Sequence, residues 1–532
     1  MNWPLIKVKL FHMNKIPEDK YYLKVGKASD LKNPFERRLF RFFEIFPGLL
    51  AWLTLLSVVF LSWLKPIWIA FFIIVFDVYW LIKTVYLSLH LRLSWNRMRK
   101  SLKVDWLKKV KERYPQRWPE LHHLVIFPMY KESLDVVRPA FESIINSDYP
   151  KEKMIVVLAT EERVGRPAQE VAQKIKEEFG HKFFKFLITQ HPGDIVGEMP
   201  GKGSNETWAA RQVKKEIIDP LKIPYKDIVV SVFDIDTQII ERYFSCLTYH
   251  YLKAKKPTRS SYQPVPVFNN NMWEVPAFSR VVATSGTFWQ MMQQQRPQRL
   301  STFSSHALSF QALVEMDFWQ TNIVSEDSRI FWQALLFYDG KYKTIPLNYP
   351  VSMDANAATS FWQTVINIYK QQRRWGWGVE NVPYILFGFW KNKKIPFKAK
   401  WHWAWIQIDG FWSWATNALL IFLLGWLPLY LGGEHFNVTV LSYNLPRVTR
   451  VLMTFAMIGM VASAIYSTLL APRPPQVDRF FKKISRYLFL FMQWALLPIT
   501  ILIFGCFPGL ESQTRLMLGK YMGFWVTDKY RK

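Results

Sequence analysis

Two apolar stretches, Phe46–Leu64 and Pro66–Leu89, are separated only by Lys65, and they limit the fold more than any other feature of the chain. A helix that crosses a bilayer needs about 20 mostly apolar residues, and each stretch supplies them. Asp77 and Lys83 are the charged residues inside the second stretch. The Lys65-Pro66 step predicts a tight turn, so the pair forms a membrane hairpin that returns the chain to its starting side. A dense run of Lys and Arg from Arg92 to Arg113 follows, which marks that side as cytoplasmic. Composition agrees: half of the 532 residues are hydrophobic, yet the net charge is +28. Apolar spans flanked by basic loops reconcile the two, and no compact Lys/Arg module points to nucleic acid. The two cysteines, Cys246 and Cys506, have no Cys/His cluster around them, so neither a disulfide scaffold nor a structural zinc site is expected. The N-terminal residues carry no cleavable signal pattern.

The texture changes from about Leu121. His123–Pro128, Met154–Thr160, Lys185–Gln190 and Asp227–Phe233 are strand candidates, and between them Glu132–Asn146, Pro167–Phe179 and Ser204–Ile217 are amphipathic. Strands alternating with helices predict βαβ units and a mostly parallel sheet. The expected organisation is a basic cytoplasmic segment at 1–45, a transmembrane hairpin at 46–89 and a basic linker at 90–120. An α/β domain at 121–377 follows, inserted between transmembrane α-helices. An aromatic and basic interfacial segment at 378–409 includes Tyr384–Trp390 and Trp401–Trp405. C-terminal spans lie within 410–507 (Gly410–Leu431, Val451–Leu470 and Leu488–Phe507), and a basic tail occupies 508–532. Five spans would leave that tail outside, against its charge; either a piece near 384–409 crosses or re-enters, or the last segment turns back at Pro498.

Chemistry concentrates in the α/β domain. The buried strand at Asp227 ends in Asp234-Ile235-Asp236, and parallel sheets bind ligands at the carboxyl ends of their strands. Two carboxylates there suit a hard cation such as Mg²⁺ carried on a substrate's phosphates. Glu132 follows the first strand, and Glu161 and Glu162 follow the second, in loops facing the same rim. Gly201-Lys202-Gly203 opens a helix, where glycines and the helix N-terminus favour an anion, although the spacing is not that of a P-loop. Ser285-Gly286-Thr287 is a small-residue bend past which a substrate could run. Ser325-Glu326-Asp327 starts a helix, and a carboxylate beside a metal–phosphate site can act as general base. Gln371-Gln372-Arg373-Arg374-Trp375 ends an amphipathic stretch, offering a guanidinium for phosphate and an indole for a sugar face. Singly, each is equally an ordinary helix cap, a solvated turn or an interfacial anchor.

In chain order, the set resembles family 2 glycosyltransferases, particularly the membrane-embedded group of cellulose, chitin and hyaluronan synthases. The resemblance covers about residues 121–377. It implies a GT-A, Rossmann-like nucleotide-sugar-binding domain, with Asp234 on the donor diphosphate and Asp236, with Asp234, on Mg²⁺ or Mn²⁺. Asp327 would be the catalytic base with Glu326 beside it. Gln371, Arg374 and Trp375 match the Gln-x-x-Arg-Trp element of the family. Lys202 and an acid among Glu132, Glu161 and Glu162 would contact the nucleotide. Two positions depart from the pattern: Ala159-Thr160-Glu161-Glu162 replaces the usual Asp after the second strand, and Ser325 the usual Thr. Surrounding residues resemble a distinct bacterial branch, so neither sugar nor polymer carries over.

The implied activity is inverting, metal-dependent transfer from a nucleotide sugar, a UDP-sugar favoured and a GDP-sugar possible, to a saccharide or lipid-linked acceptor. It would take place at the cytoplasmic face of a bacterial membrane and would serve exopolysaccharide synthesis. A single-addition, glycolipid-forming transferase is the nearer alternative. A transporter with a non-catalytic nucleotide-binding domain is the alternative from another class.

Overall fold

The computed structural model describes residues 16–474, 480–526 and 531. Part of the expected N-terminal basic segment, part of the basic loop before Arg486, and Lys529 and Lys532 of the tail lie outside them. The strands of the α/β domain are β1 (His122–Pro128), β2 (Met154–Glu161), β3 (Lys185–His191), β4 (Ile228–Val232), β5 (Gln238–Ile239), β6 (Ser260–Phe268), β7 (Ala307–Ser309) and β8 (Lys343–Met353). They form one sheet in the order β3-β2-β1-β4-β7-β6-β8-β5. The first four are parallel, with β1 between β2 and β4. The sheet therefore grows outward to β3 and then restarts on the other side of β1. That restart is a topological switch point, where open α/β sheets form a ligand crevice.

These four strands pair because their residues alternate cleanly between two apolar layers. Leu124, Ile126, Val230 and Val232 belong to one core, and Val125, Phe127, Val229 and Phe233 to the other. The helices Leu134–Ile145, Arg166–Phe179 and Lys202–Val213 lie where the amphipathic stretches predict them. The other half of the sheet is mixed: β7 runs antiparallel to β4 and β6, while β8 is parallel to β6. It escapes sequence reading for physical reasons. β5 and β7 have two and three residues, too short for a period to show. β6 contains Pro264 and Pro266, and its register against β8 shifts between Gln263 and Val265.

Two expectations are corrected. Ser285-Gly286-Thr287 is no bend but part of the 18-residue helix Ala277–Gln294, with Gly286 facing Phe268 and Trp375. A lone helical glycine costs only about 1 kcal/mol, which close packing offsets. Tyr384–Trp390 is not interfacial either. Its helix, Asn381–Lys391, buries Tyr384, Ile385 and Phe387 in the core of the α/β domain.

Four helices are long and apolar enough to span a membrane: Pro34–Leu64, Pro66–Lys103, Val440–Leu470 and the segment Ile484–Met517. Phe397–Phe422 and Leu424–Leu431 would make a fifth as a pair bent by 50°. The far end of the bundle is marked by Gly432, whose α-carbon faces Pro66 and Phe436. At the near end Asn269 Nδ2 reaches Leu470 O at 3.4 Å. The Ile484–Met517 segment touches the α/β domain near both of its ends. Arg280 Nε donates to Gln493 Oε1 at 2.7 Å, and Glu511 accepts from Tyr369 Oη at 2.9 Å and Arg373 Nη1 at 2.8 Å. The N-terminal residues are likewise tied down: Lys24 pairs with Asp317 at 3.1 Å, and Tyr22, Leu23 and Val25 enter the domain core.

Candidate active site

The loop leaving β4 and the helices Lys202–Val213 and Glu326–Phe337 converge on one ammonium group. Lys202 Nζ lies 2.8 Å from Asp234 Oδ1 and 2.8 and 2.9 Å from the two oxygens of Asp327. Glu206 and Glu326 stand behind it at 3.6 and 3.7 Å. Asp234 also accepts from Ser304 Oγ at 2.7 Å, so both its oxygens are held. Thr302 Oγ1 donates to the Asp327 carbonyl at 2.6 Å, and His306 Nδ1 is 3.7 Å from Asp327 Oδ1. Burial pulls the Lys202 pKa down, but Asp234, Asp327, Glu206 and Glu326 together hold it well above the ordinary lysine value.

The same burial separates the acids. Glu206 is fully buried, and desolvation, with Asp327, Glu326 and Asp234 nearby, raises it well above the carboxylate range against the pull of Lys202. Glu326 is pushed up to about 8 by burial and by Asp327, against the opposing Lys202 and Arg374. A carboxyl that keeps its proton at neutral pH cannot serve as a base. Asp327, whose side chain is 22% exposed, is the member of the pair open to solvent.

Asp236 has partners of its own. It is buried, its Oδ2 accepts from the Asp354 amide at 3.1 Å, and its carbonyl accepts from Asn270 Nδ2 at 3.0 Å. Gln371 and Trp375 line a cleft with Asp354, Ala355 and Asn356, and the Trp375 ring sits 6.2 Å from Phe268. Arg374 lies in the electrostatic reach of Glu326, with its guanidinium 5.1 Å from the Phe524 ring. The rim acids are more local. Glu132 caps its own turn through the Tyr130 amide at 2.8 Å, Glu161 pairs with Arg163 at 2.5 Å, and Glu162 accepts from the Gly193 amide at 3.1 Å. Glu161 lines a second cleft with Arg163, His191 and Pro200, which leads along the chain to Lys202.

Lys202, Asp234, Glu326 and Asp327 are thus one cluster; Asp236, two residues beyond Asp234, bonds to Asp354 instead, and Glu132, Glu161 and Glu162 make the local contacts just given. As for a metal, Glu206, Glu326 and Asp327 bring carboxylate oxygens within 4.8 Å of one another. Oxygen-only donors of this kind fit Mg²⁺ or Mn²⁺. That triad differs from the expected Asp234–Asp236 pair, and the Lys202 ammonium stands among its oxygens.

Sequence reading missed Glu206, Ser304, His306, Asp354 and the tail. Glu206 stands one helical turn after Lys202, a spacing that puts both on one face. The tail comes back over the site: Phe524 packs against Gly201, where a Cβ would lie 2.6 Å from its ring. Arg531 grips Asp354 at 2.8 and 3.0 Å. No sequence motif pairs residues so far apart.

No protein-family model matches the chain, and no curated protein matches it. Solved structures do. A mannosyltransferase from Pyrobaculum calidifontis, in complex with GDP-Man and Mn²⁺, is 14% identical over 74% of this chain and 98% of its own, with a TM-score of 0.42. Residues 1–349 of Staphylococcus aureus TarS, in complex with UDP-GlcNAc, are 12% identical over 67% of this chain and 95% of theirs, with a TM-score of 0.36. These likenesses are remote, and the functional reading rests on the site's own residues.

Proposed function

We propose that the protein is a membrane-bound, inverting glycosyltransferase of family 2 type with a GT-A domain, transferring a hexose from a nucleotide sugar at the cytoplasmic membrane face. One observation carries this reading: Lys202 is shared between Asp234, at the sheet's switch point, and Asp327, at the start of a helix. Asp327 takes the proton of an acceptor hydroxyl as its oxygen attacks the anomeric carbon and the nucleoside diphosphate departs. Lys202 pairs with both Asp327 oxygens while no diphosphate competes for it. An incoming diphosphate offers the ammonium a more highly charged partner, and Asp327 is then free to act. Arg374 and Lys202 supply cationic groups for the leaving diphosphate, and such preorganised charge is often the largest catalytic contribution. Mg²⁺ or Mn²⁺ would neutralise further diphosphate charge, and Asp236, with Asp234, would hold it once these carboxylates exchange the Asp354 amide and Ser304 for the ion. Gln371 and Trp375 border the acceptor cleft; Glu132, Glu161 and Glu162 lie on the rim toward the nucleotide.

The membrane segments support an even number of crossings. Pro34–Leu64, Pro66–Lys103, the bent pair Phe397–Leu431 and Val440–Leu470 would cross. Ile484–Met517, anchored to the α/β domain near both ends, would lie along the membrane surface. Its exposed Ile484, Leu488, Met492, Ile499, Ile503 and Phe507 form the apolar side this placement needs. The basic tail then stays on the cytoplasmic side, as its charge requires. Between two crossing helices Lys83 Nζ donates to Ser413 Oγ at 3.1 Å, with Asp409 3.5 Å beyond. Polar side chains inside a bundle mark a path for a polar product, which favours a processive exopolysaccharide synthase over a single-addition transferase.

The test is a screen of UDP- and GDP-sugars with purified protein in lipid vesicles, reading nucleoside diphosphate release with and without Mg²⁺ or Mn²⁺. Metal-dependent release with one donor is expected. No release with any donor would refute the reading and revive the transporter alternative. High-molecular-weight product would separate a synthase from a glycolipid-forming enzyme.

A further inference from the structure

Glu380 lies in the turn Trp377–Glu380, five residues beyond Trp375, and neither motif includes it. Its carboxylate is 6% exposed and gathers four hydrogen bonds. Oε1 accepts from the Val324 amide at 3.1 Å, the Ser325 amide at 2.8 Å and Ser325 Oγ at 2.7 Å, while Oε2 accepts from Trp377 Nε1 at 3.0 Å. The helix Glu326–Phe337 gains no side-chain cap from Ser325, so Glu380 holds the chain where it enters that helix. Asn381 continues the bond. Its Nδ2 donates to Ser328 Oγ at 3.0 Å, and its Oδ1 accepts from Arg329 Nε at 2.6 Å. Arg329 is fully buried, donates from Nη2 to the Glu380 carbonyl at 3.2 Å, and lies 3.9 Å over the Tyr384 ring. Residues on both sides of Glu326-Asp327 are therefore fastened to the segment that directly follows Arg374-Trp375.

We propose that Glu380 is a positioning residue that sets Asp327 against the Arg374 side of the site, so that the base and the leaving-group cations are placed as one unit. A carboxylate is suited to this. It accepts two amides and a hydroxyl on one oxygen and an indole on the other, which no neutral side chain of the same length can do. The inference rests on the transfer reading above, because only transfer requires the two sets of groups in fixed register.

The experiment uses the full chain in vesicles, with the active donor titrated against Glu380→Ala, Glu380→Gln and Trp377→Phe. Misplacing a catalytic group by about 1 Å can cost on the order of 10²-fold in rate, so Glu380→Ala should lose kcat per folded protein by about that factor. Donor KM should stay within about twofold, because the groups that bind diphosphate are untouched. Glu380→Gln keeps the acceptor facing Val324 and Ser325 but turns an N–H toward Trp377, so it should recover most of the lost rate. Trp377→Phe removes that same link, and combining it with Glu380→Gln should add little. Amide exchange at Val324 and Ser325 should quicken in Glu380→Ala whatever the substrate. Unchanged kcat per folded protein, unchanged exchange, or a loss confined to donor KM would overturn the proposal. Absence of nucleoside diphosphate release by the unaltered protein would instead overturn the transfer reading, while exchange still decides whether Glu380 holds the loop.

Discussion

Glu326→Gln separates the two adjacent acids by their protonation. In the folded protein the Glu326 pKa is raised from 4.5 to about 8, first by burial and then by Asp327. The unfolded chain gives up this proton near the ordinary value, so between about 4.5 and 8 the folded state binds more protons. Stability from this group then falls as pH rises through that window and levels off above it. Every tenfold change in proton affinity is worth about 1.4 kcal/mol, which at pH 7 amounts to a penalty on the order of 3 kcal/mol. Glutamine imitates the proton-bearing form and escapes the penalty. Thermal unfolding followed by tryptophan fluorescence in detergent should show variant and parent alike near pH 4.5. The gap should widen to roughly 5–10 °C in favour of the variant by pH 8. Nucleoside diphosphate release by the variant should remain within about threefold of the parent at neutral pH, since the neutral carboxyl is no base. A variant that loses transfer as completely as one altered at Asp327, or that shows no pH-dependent stabilisation, would refute this division of roles.

Asp327→Asn should retain donor binding, measured by isothermal titration with nucleoside diphosphate, while transfer falls by at least about 10³-fold; near-normal turnover would remove Asp327 as the base. Lys202→Met should weaken nucleoside diphosphate binding and cost about 3–5 kcal/mol in stability, because it strips the ammonium from a buried acid cluster. Its unfolding midpoint and binding isotherm check both, and parental values for both would show the ammonium to be dispensable. A Cβ added at Gly523 would meet nothing within 4 Å and both native cysteines are buried, so Gly523→Cys gives one accessible thiol in the tail. A membrane-impermeant maleimide should label it in inside-out vesicles and not in right-side-out ones; the opposite pattern would place the tail outside.

Half of the sheet was legible because parallel strands buried on both faces leave continuous apolar runs. All five residues of Ile228–Val232 are buried, and β1 and β2 are buried through their interiors, while β3 at the sheet edge is half-exposed and shows the pattern more weakly. Strands β5 to β8 leave none, since their order depends on pairing between short or proline-bearing segments rather than on local pattern. The buried helix Asn381–Lys391 misled for a related reason. Aromatic residues next to lysines look alike whether they meet lipid headgroups or a protein core, and only the burial of Tyr384 and Phe387 in the same core as Ile330 and Leu336 distinguishes the cases. The last apolar stretch carries a second signal that its sequence does not show. Its hydropathy is that of a span, whereas Gln493 on Arg280 and Glu511 on Arg373 tie it to the α/β domain.

The candidate site shows the same boundary from the chemical side. Asp234, Glu326, Asp327 and Lys202 were each visible as residue types in telling places, but which of them meet was not. Lys202 and Asp327 stand 125 positions apart and still share two contacts under 3 Å. Their meeting also decides protonation. Without Lys202 the acids would repel one another, and without Glu206 beneath it the ammonium would be less enclosed by charge. Burial then gives the protons to Glu206 and Glu326 and leaves Asp327 partly exposed. Sequence shows two adjacent acids at a helix start; the environment on either side of them makes one a neutral support and the other the candidate base.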